Sequence, residues 1–221
     1  MNEKQLVGEK AVEYIKDGMV VGLGTGSTVY YTIKKLGELV KGGLKIKGVP
    51  TSELTAALAN EEGIPLVDLK EIEALDVAID GADQVDSHLN LIKGGGGALL
   101  REKIIANAAS IFIVVADSSK VVNQLGAFPL PVEVVQFGVD MTSRKVACLG
   151  CVPKLRVREG QPFITDNGNY ILDCDFKRIE SPAELEMKLN MIPGVVENGL
   201  FVNSASRVIT VENNEVIESV K

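Results

Sequence analysis

The chain has 221 residues, of which 46% are hydrophobic and 24% are charged, as is typical of a globular protein with a sizeable core. Tryptophan is absent and aromatic residues make up only 5%, so we expect an aliphatic core. The net charge of -7 disfavours a protein that coats nucleic-acid phosphates, because that needs a broad basic surface. The longest uncharged stretch, residues 18–33, carries four glycines and is too short for a membrane span. The sequence therefore predicts a cytoplasmic protein that binds neither nucleic acid nor membrane.

The first half of the chain alternates between helical and extended patterns. Helices are predicted at 3–17, from Ser27 or Thr28 onward, at 52–62 and at 97–109. Short apolar runs predict strands at 19–23, 45–50, 75–80 and 110–116. Buried strands that alternate with amphipathic helices indicate a mostly parallel sheet covered on both faces, and so the α/β class.

The second half of the chain has strand patterns separated by turn signals. Asp166–Asn169 predicts a hairpin turn, and apolar residues at every second position from 170 to 176 predict a strand that buries Cys174. Ser181 is predicted to cap a helix that Pro193 ends. We expect a smaller α+β domain at 124–199, with 1–123 and 200–221 forming the larger domain.

Cysteines are sparse and odd in number, which is typical of a reducing compartment. Cys148 and Cys151 form a CxxC pair, but no second pair follows and the single histidine, His88, is distant in sequence. A zinc or redox site is one interpretation of the pair. Packing residues without a metal are the favoured interpretation, because Cys174 also lies on a predicted buried face.

Four loops follow predicted strands, and ligands of an open parallel sheet bind at such loops. They are 24–28, 51–53, 80–83 and 117–120, with residues 93–97 nearby in the chain. The 24–28 loop is rich in glycine and hydroxyl groups and leads into a helix, which favours an anion such as phosphate. It matches neither GxGxxG nor a P-loop, so a simple tight turn is an equal alternative.

Asp80 and Asp83 lie three residues apart after an apolar strand, and Asp86 continues the spacing. They are candidates for acid–base chemistry, for turn capping, or for binding a hard divalent cation. A nearby lysine, Lys93, disfavours the cation.

Lys93 precedes four glycines, which are costly at the start of a helix. We interpret them as allowing a ligand to approach backbone amides and one ammonium group. A flexible hinge is the alternative.

Glu102 shares a helical stripe with Ala98, Leu99, Ile105 and Ala106. Partial burial would raise the pKa of its carboxyl group toward neutrality, as a general base requires. The alternative is a surface ion pair with Arg101 or Lys103.

These motifs occur in one order, and together they closely resemble type A ribose-5-phosphate isomerase over nearly the whole chain. The ordered set comprises Gly-Thr-Gly-Ser-Thr at 24–28, Asp-Gly-Ala-Asp at 80–83, Lys-Gly-Gly-Gly at 93–96, Arg-Glu-Lys at 101–103, Ala-Asp-Ser-Ser-Lys at 116–120, Phe-Pro-Leu-Pro-Val-Glu at 128–133 and Thr-Asp-Asn-Gly-Asn at 165–169. Gln84, Gly97 and the CxxC pair depart from the family pattern, and none of them has an assigned chemical role.

The resemblance implies a Rossmann-like domain plus a smaller α+β domain. It implies interconversion of ribose 5-phosphate and ribulose 5-phosphate through an enediolate, in the non-oxidative branch of the pentose phosphate pathway. It implies no metal or other cofactor, a phosphosugar as the small-molecule partner, and a homodimer or homotetramer.

The resemblance also implies roles for individual residues. Glu102 would be the base, Asp80 would assist ring opening in the loop that also holds Asp83, and Lys93 would stabilise the enediolate oxygen. The implied substrate-binding residues are Thr25, Gly26, Ser27, Thr28, Asp80, Gly81, Ala82, Asp83, Lys93, Gly94, Gly95, Gly96, Lys120 and Lys4.

Two other classes of function share this architecture. A non-catalytic sugar-phosphate sensor would keep the phosphate loop, but it would usually carry a DNA-binding helix-turn-helix for which the chain lacks length and basic charge. A coenzyme A transferase would use a glutamate as nucleophile. A nicotinamide dehydrogenase is the weakest alternative, because the fingerprint glycines are misplaced.

Overall fold

The computed structural model describes residues 2–221, which separate into two compact units. The first unit contains the residues up to 82 together with 101–121 and 204–221, and the second contains 83–100 and 122–203. The segment 83–100 therefore groups with the second unit, whereas the predicted domain limits place it in the larger domain.

Residues 2–221 form α-helices of nine to thirteen residues and strands of two to seven residues. In chain order, the α-helices are α1 (Glu3–Ala11), α2 (Val29–Lys41), α3 (Glu53–Glu61), α4 (Leu99–Ala108), α5 (Val139–Ala147) and α6 (Pro182–Asn190). The strands are β1 (Val20–Leu23), β2 (Lys47–Pro50), β3 (Leu75–Gly81), β4 (Gln84–Val85), β5 (Leu91–Ile92), β6 (Ala109–Val115), β7 (Leu130–Val134), β8 (Val152–Leu155), β9 (Val157–Arg158), β10 (Gln161–Pro162), β11 (Tyr170–Asp175), β12 (Val195–Asn198), β13 (Leu200–Phe201), β14 (Arg207–Glu212) and β15 (Glu215–Val220).

The first unit is built on a six-stranded sheet in the order β15-β14-β6-β3-β1-β2. Its strands pair in parallel except for the antiparallel β14–β15 hairpin at one edge. On one face, Val21 and Leu23 pack with Ile33 and other apolar residues of α1 and α2. On the opposite face, Gly22 lies against Ile105 of α4. The mostly parallel α/β sheet with helices on both faces is thus confirmed.

The second unit is built on a four-stranded antiparallel sheet in the order β12-β7-β11-β8. Its core joins this sheet to α5 and α6 through Leu130, Leu172, Val146 and Leu189. A three-stranded sheet, β13-β5-β4, and a short β9–β10 ladder complete the unit. None of the helices in residues 2–221 combines the length and apolar character that a membrane crossing needs.

Four local predictions need correction. The first helix ends at Ala11 and continues as a 3-10 turn over Val12–Tyr14, rather than reaching residue 17. The turn at 165–169 forms, but β11 pairs with β7 and β8 and does not form a hairpin with the preceding run. Thr28 and Ser181 precede their helices without a side-chain capping bond.

Candidate active site

The loop 24–28 connects β1 to α2 in the first unit and is anchored by hydroxyl groups. The hydroxyl oxygen of Thr25 lies within hydrogen-bond distance of three others: 2.7 Å from Thr51, 2.8 Å from Ser52 and 3.0 Å from Thr55. Thr55 also donates to the Gly24 carbonyl at 2.9 Å. These bonds tie the loop to the start of α3, so the backbone amides at the N-terminus of α2 keep a fixed direction.

The two basic residues predicted to bind phosphate are Lys4 and Lys120. Lys4 contacts the 24–28 loop, and the segment of Lys120 contacts the neighbour of Lys4. The ammonium group of Lys4 donates to the hydroxyl oxygen of Ser27 at 2.9 Å. Its neighbour Glu3 accepts a bond from the Ser118 amide at 2.8 Å, at the start of the short helical turn that contains Lys120. Cations and a helix N-terminus together favour an anionic ligand. These contacts bring the Lys4 ammonium group to the 24–28 loop, as the prediction of an anion site requires.

Asp80 occupies the end of β3 and is only 2% exposed. One carboxylate oxygen, Oδ1, accepts the amide N–H groups of Thr25 at 3.0 Å and Gly81 at 2.7 Å. A Cβ atom on Gly24 would lie 2.2 Å from the same oxygen. Glycine at position 24 is therefore what allows β1 to pass so close to the carboxylate.

Glu102 lies in the first turn of α4 and is 3% exposed. The preceding residue, Arg101, forms an ion pair with Glu53 at 2.9 Å. The burial agrees with the apolar stripe and places the Glu102 side chain away from the surface. A buried carboxylate of this kind is a frequent mark of a functional site.

Lys93 belongs to the second unit and is 2% exposed, which makes it one of the largest fully buried side chains. Its amide donates to the Gly199 carbonyl at 2.9 Å. Its ammonium nitrogen lies 5.4 Å from the centre of the Phe201 ring, at cation–π distance. A buried ammonium group of this kind is a candidate for stabilising negative charge.

Three of the four glycines after Lys93 are favoured by the conformation and packing of their loop. Gly94 and Gly97 have φ values of +98° and +91°, which L-residues with side chains rarely adopt. A Cβ atom on Gly97 would lie 2.5 Å from the Phe163 ring. The Gly95 amide donates to Asp83 Oδ2 at 2.7 Å. These contacts favour an ordered loop over a hinge.

The three carboxylates that the sequence places close together do not form one cluster within a unit. Asp80 lies in the first unit, whereas Asp83 and Asp86 lie in the second. Asp86 Oδ1 accepts the amides of His88 and Asn90 and so closes a turn. Among residues 2–221, no group of three or more His, Cys, Asp or Glu side chains is arranged to hold a metal ion.

The cysteines differ in their surroundings. Cys148 is exposed, which contradicts a packing role for it, whereas Cys151 and Cys174 belong to the core of the second unit. A hydrogen bond with the Cys151 thiol, together with burial, raises the pKa of the Cys174 thiol far above its ordinary value. Cys174 is a buried packing residue, as its predicted position indicates.

Sequence reasoning missed Arg156, which contacts the predicted site. Arg156, between β8 and β9, donates to the carbonyl oxygens of Gly94 and Gly95. It lies in an extended run with no motif around it and is more than sixty positions from the glycines. No local pattern signals such a contact.

By sheet order and helix layers, the first unit is a Rossmann-like α/β unit. Two of its polar loops follow the parallel strands β1 and β3, where proteins of this class bind their ligands. The 24–28 loop and the buried Asp80 lie at those strand ends.

Comparison with known proteins identifies the family. Residues 47–215 match the family model described as ribose 5-phosphate isomerase A, also called phosphoriboisomerase A. The chain is 52% identical over 219 residues to ribose-5-phosphate isomerase A of Bacillus mycoides, covering 99% of each chain. It is 54% identical over 219 residues to that of Bacillus cereus, covering 99% of this chain and 100% of the other.

Solved structures give the same result. A D-ribose-5-phosphate isomerase in complex with phospho-erythronic acid superposes with a TM-score of 0.96 at 44% identity, covering 100% of both chains. The ribose 5-phosphate isomerase A of Methanocaldococcus jannaschii superposes with a TM-score of 0.94 at 42% identity, covering 99% of this chain and 98% of the other. The chain belongs to the ribose 5-phosphate isomerase A family.

Proposed function

We propose that the protein interconverts ribose 5-phosphate and ribulose 5-phosphate, with Glu102 as the base. The proposal depends chiefly on the burial of the Glu102 carboxylate in a chain of this family. The carboxylate removes the proton from C2 of the open-chain aldose, and the electron pair forms an enediolate. The hydroxyl proton on O2 moves to O1, and return of the first proton from Glu102 to C1 then leaves the carbonyl at C2, so atoms and electrons balance without a metal or cofactor.

The 24–28 loop is the proposed phosphate site, where Gly26, Ser27 and Thr28 bind the anion and Thr25 anchors the loop. The contact between Lys4 and Ser27 and the amides at the start of α2 support this role. We assign Lys120 as a further cation for the phosphate. An anchored phosphate lets remote binding energy orient the reacting carbons, and so compensates for the negative net charge of the protein.

Asp80 is the proposed group that assists ring opening and moves protons between hydroxyl oxygens, next to Gly81 and Ala82 in the substrate loop. Its bonds to two backbone amides hold one carboxylate oxygen in a fixed direction. Asp83 acts differently in this proposal. It holds the Gly95 amide, and so shapes the glycine loop.

Lys93 and the glycine loop 94–96 are proposed to stabilise the enediolate oxygen, with the Gly94 and Gly96 amides as donors because Asp83 holds the Gly95 amide. Preorganised donors aimed at developing charge are worth roughly 3 kcal/mol each. The burial of Lys93 supports its role, because an ammonium group away from water acts more strongly on a nearby anion.

We further propose a cytoplasmic enzyme of the pentose phosphate pathway that forms a homodimer or homotetramer. Apolar side chains on the surface of the second unit support self-association: Phe137 is 94% exposed, and Met141 and Met191 are also exposed. Exposed apolar patches commonly mark protein interfaces.

The test of this function is Glu102→Gln, assayed in metal-free protein by the formation of ribulose 5-phosphate. We expect kcat to fall about 100- to 10,000-fold, because the substitution removes the base and keeps the shape of the side chain. Binding of inorganic phosphate, measured by calorimetry, should stay near the wild-type value. Glu159→Gln, an exposed glutamate of the second unit, is the matched control and should retain activity.

Two results would contradict the proposal at different points. Undiminished turnover by Glu102→Gln would refute the assignment of the base. A wild-type protein that binds phosphosugar without turnover would instead indicate a sensor, and a covalent glutamyl adduct formed with an acyl-coenzyme A would indicate a transferase.

A further inference from the structure

Arg156 is oriented by a two-point ion pair within the second unit. Its Nε donates to Asp173 Oδ2 at 2.9 Å, and its Nη2 donates to Asp173 Oδ1. The arginine side chain is only 15% exposed. Bidentate pairs of this type set the plane of the guanidinium group and are stronger than single neutral hydrogen bonds.

The remaining terminal nitrogen of Arg156 reaches the glycine loop. Nη1 donates to the carbonyl oxygen of Gly94 at 3.0 Å and to that of Gly95 at 3.1 Å. The Phe163 ring lies 5.8 Å from the guanidinium carbon and also packs against Gly97. One arginine therefore restrains two successive peptide units in a segment whose glycines have few intrinsic restraints.

The direction of the peptide amides follows from these carbonyl contacts. In a trans peptide the C=O and N–H groups point in opposite directions, and the chain has no cis peptide in its described residues. The peptide group between Gly94 and Gly95 is held at both ends, because Arg156 binds the Gly94 carbonyl and Asp83 binds the Gly95 amide. In the peptide group between Gly95 and Gly96, Arg156 binds the Gly95 carbonyl, so the Gly96 amide points away from Arg156.

The Gly96 amide is a free donor of the loop. Gly96 is exposed, and no acceptor for its amide occurs among residues 2–221. A donor that is fixed in direction and lacks a protein partner is suited to a ligand oxygen. The Gly96 N–H group is therefore the donor whose direction Arg156 fixes.

We propose that Arg156 is a positioning residue of the isomerase, which aims the Gly96 amide at the developing enediolate oxygen. This inference rests on the proposed function. Arg156 itself does not bind substrate. It acts through the two glycine carbonyls, and Asp173 keeps it in place. Without it, the glycine loop would have to be ordered during each turnover, which would raise the barrier of the chemical step.

The test compares Arg156→Gln with Arg158→Gln. Arg158 is a matched control because it lies 4.8 Å from the same Phe163 ring but is exposed and does not bond to the glycine carbonyls. For Arg156→Gln we expect kcat to fall about tenfold to a hundredfold, and KM to change less than about threefold. Arg158→Gln should keep both constants near the wild-type values.

Binding of two ligands distinguishes a positioning role of Arg156 from a merely structural one. Phospho-erythronic acid carries a planar carboxylate in addition to its phosphate, whereas inorganic phosphate tests the phosphate site alone. Arg156→Gln should weaken binding of phospho-erythronic acid about as much as it lowers kcat, and leave phosphate binding unchanged. Arg156→Lys should recover part of the activity, because one carbonyl contact can re-form.

The second variant is Asp173→Asn, which leaves Arg156 in place but weakens its orientation. We expect the same selective loss of kcat, to a smaller extent. Wild-type kcat in Arg156→Gln, or equal losses of phosphate and phospho-erythronic acid binding, would overturn the inference. If Arg156→Gln does not fold, wild-type kcat in Asp173→Asn would overturn it. Wild-type protein without isomerase activity would instead refute the proposed function.

Discussion

Gly24 and Asp80 show how one missing side chain creates a functional position. A Cβ atom at position 24 would lie 2.2 Å from Asp80 Oδ1 and 2.6 Å from its Cα atom. The second contact is with backbone, so rotation of the aspartate side chain cannot relieve it. The close approach of β1 to β3 at this point therefore depends on glycine.

Gly24→Ala is expected to destabilise the protein by about 1–3 kcal/mol through overpacking. It should also lower kcat/KM, because the Asp80 carboxylate must move. Thermal unfolding and the isomerase assay measure the two effects. Gly42→Ala is the matched control: its backbone has φ -81°, and such a replacement stabilises by up to about 1 kcal/mol. Equal melting temperatures and equal kcat/KM values for the two variants would contradict the explanation that a Cβ atom at position 24 clashes with Asp80.

The buried ions of the candidate site were only partly predictable. The apolar stripe around Glu102 indicates burial, because helical spacing places its neighbours on one face. The burial of Lys93 has no such signal in the sequence. It depends on Phe201 and Gly199, which are more than one hundred positions away.

Helices α2 and α3 are joined by a carboxylate at the end of α3. Glu62 is buried and accepts bonds from Lys34 at 2.5 Å and Lys41 at 3.3 Å, both on α2. Gly37 makes room for it, since a Cβ atom there would lie 2.6 Å from that of Glu62. The hydrogen bond from Lys34 and, to a smaller extent, that from Lys41 lower the pKa of Glu62 below its ordinary value of 4.5.

This lowered pKa predicts a pH-dependent contribution to stability. A carboxyl group with a lower pKa in the folded state stabilises the protein above its unfolded-state pKa, and the contribution is lost as the pH falls through the folded-state pKa. Glu62→Gln should therefore lower the melting temperature at pH 7, and the difference from wild type should vanish in acid. Glu71→Gln removes an exposed charge and should show little effect at either pH. A difference for Glu62→Gln that persists undiminished in acid would contradict this explanation.

For the molecule as a whole, the second unit is where we expect self-association. Phe137 is 94% exposed beside the start of α5, and burial of such a side chain is worth about 1.5–3 kcal/mol. Exposure of this size is unfavourable for an isolated chain.

Phe137→Glu is expected to reduce the molar mass in solution, because a charge in an apolar interface is costly. Light scattering after size-exclusion chromatography measures the mass. Leu54→Glu is the matched control, since Leu54 is an apolar residue of the first unit that is 75% exposed. Wild-type protein with the mass of one chain, or an unchanged mass for Phe137→Glu, would refute self-association through this surface.

The order of helices and strands in the first unit, and the loops that carry the candidate site, could be predicted from the amino-acid sequence alone. Both depend on local properties: apolar periodicity defines each element, and glycine, hydroxyl and carboxylate residues distinguish the loops that follow strands. The resemblance to a family added roles that no local pattern contains. Those roles for individual residues stay proposals.

Pairing and contact across the chain were decided by the folded structure. The strand β11 pairs with β7 and β8 instead of forming a hairpin, the segment 83–100 joins the second unit, and Arg156 binds two glycine carbonyls. The physical reason is the same in each case. Hydrogen-bond partners and packing neighbours are chosen by the free energy of the whole fold, so groups far apart in the chain meet without any local signal.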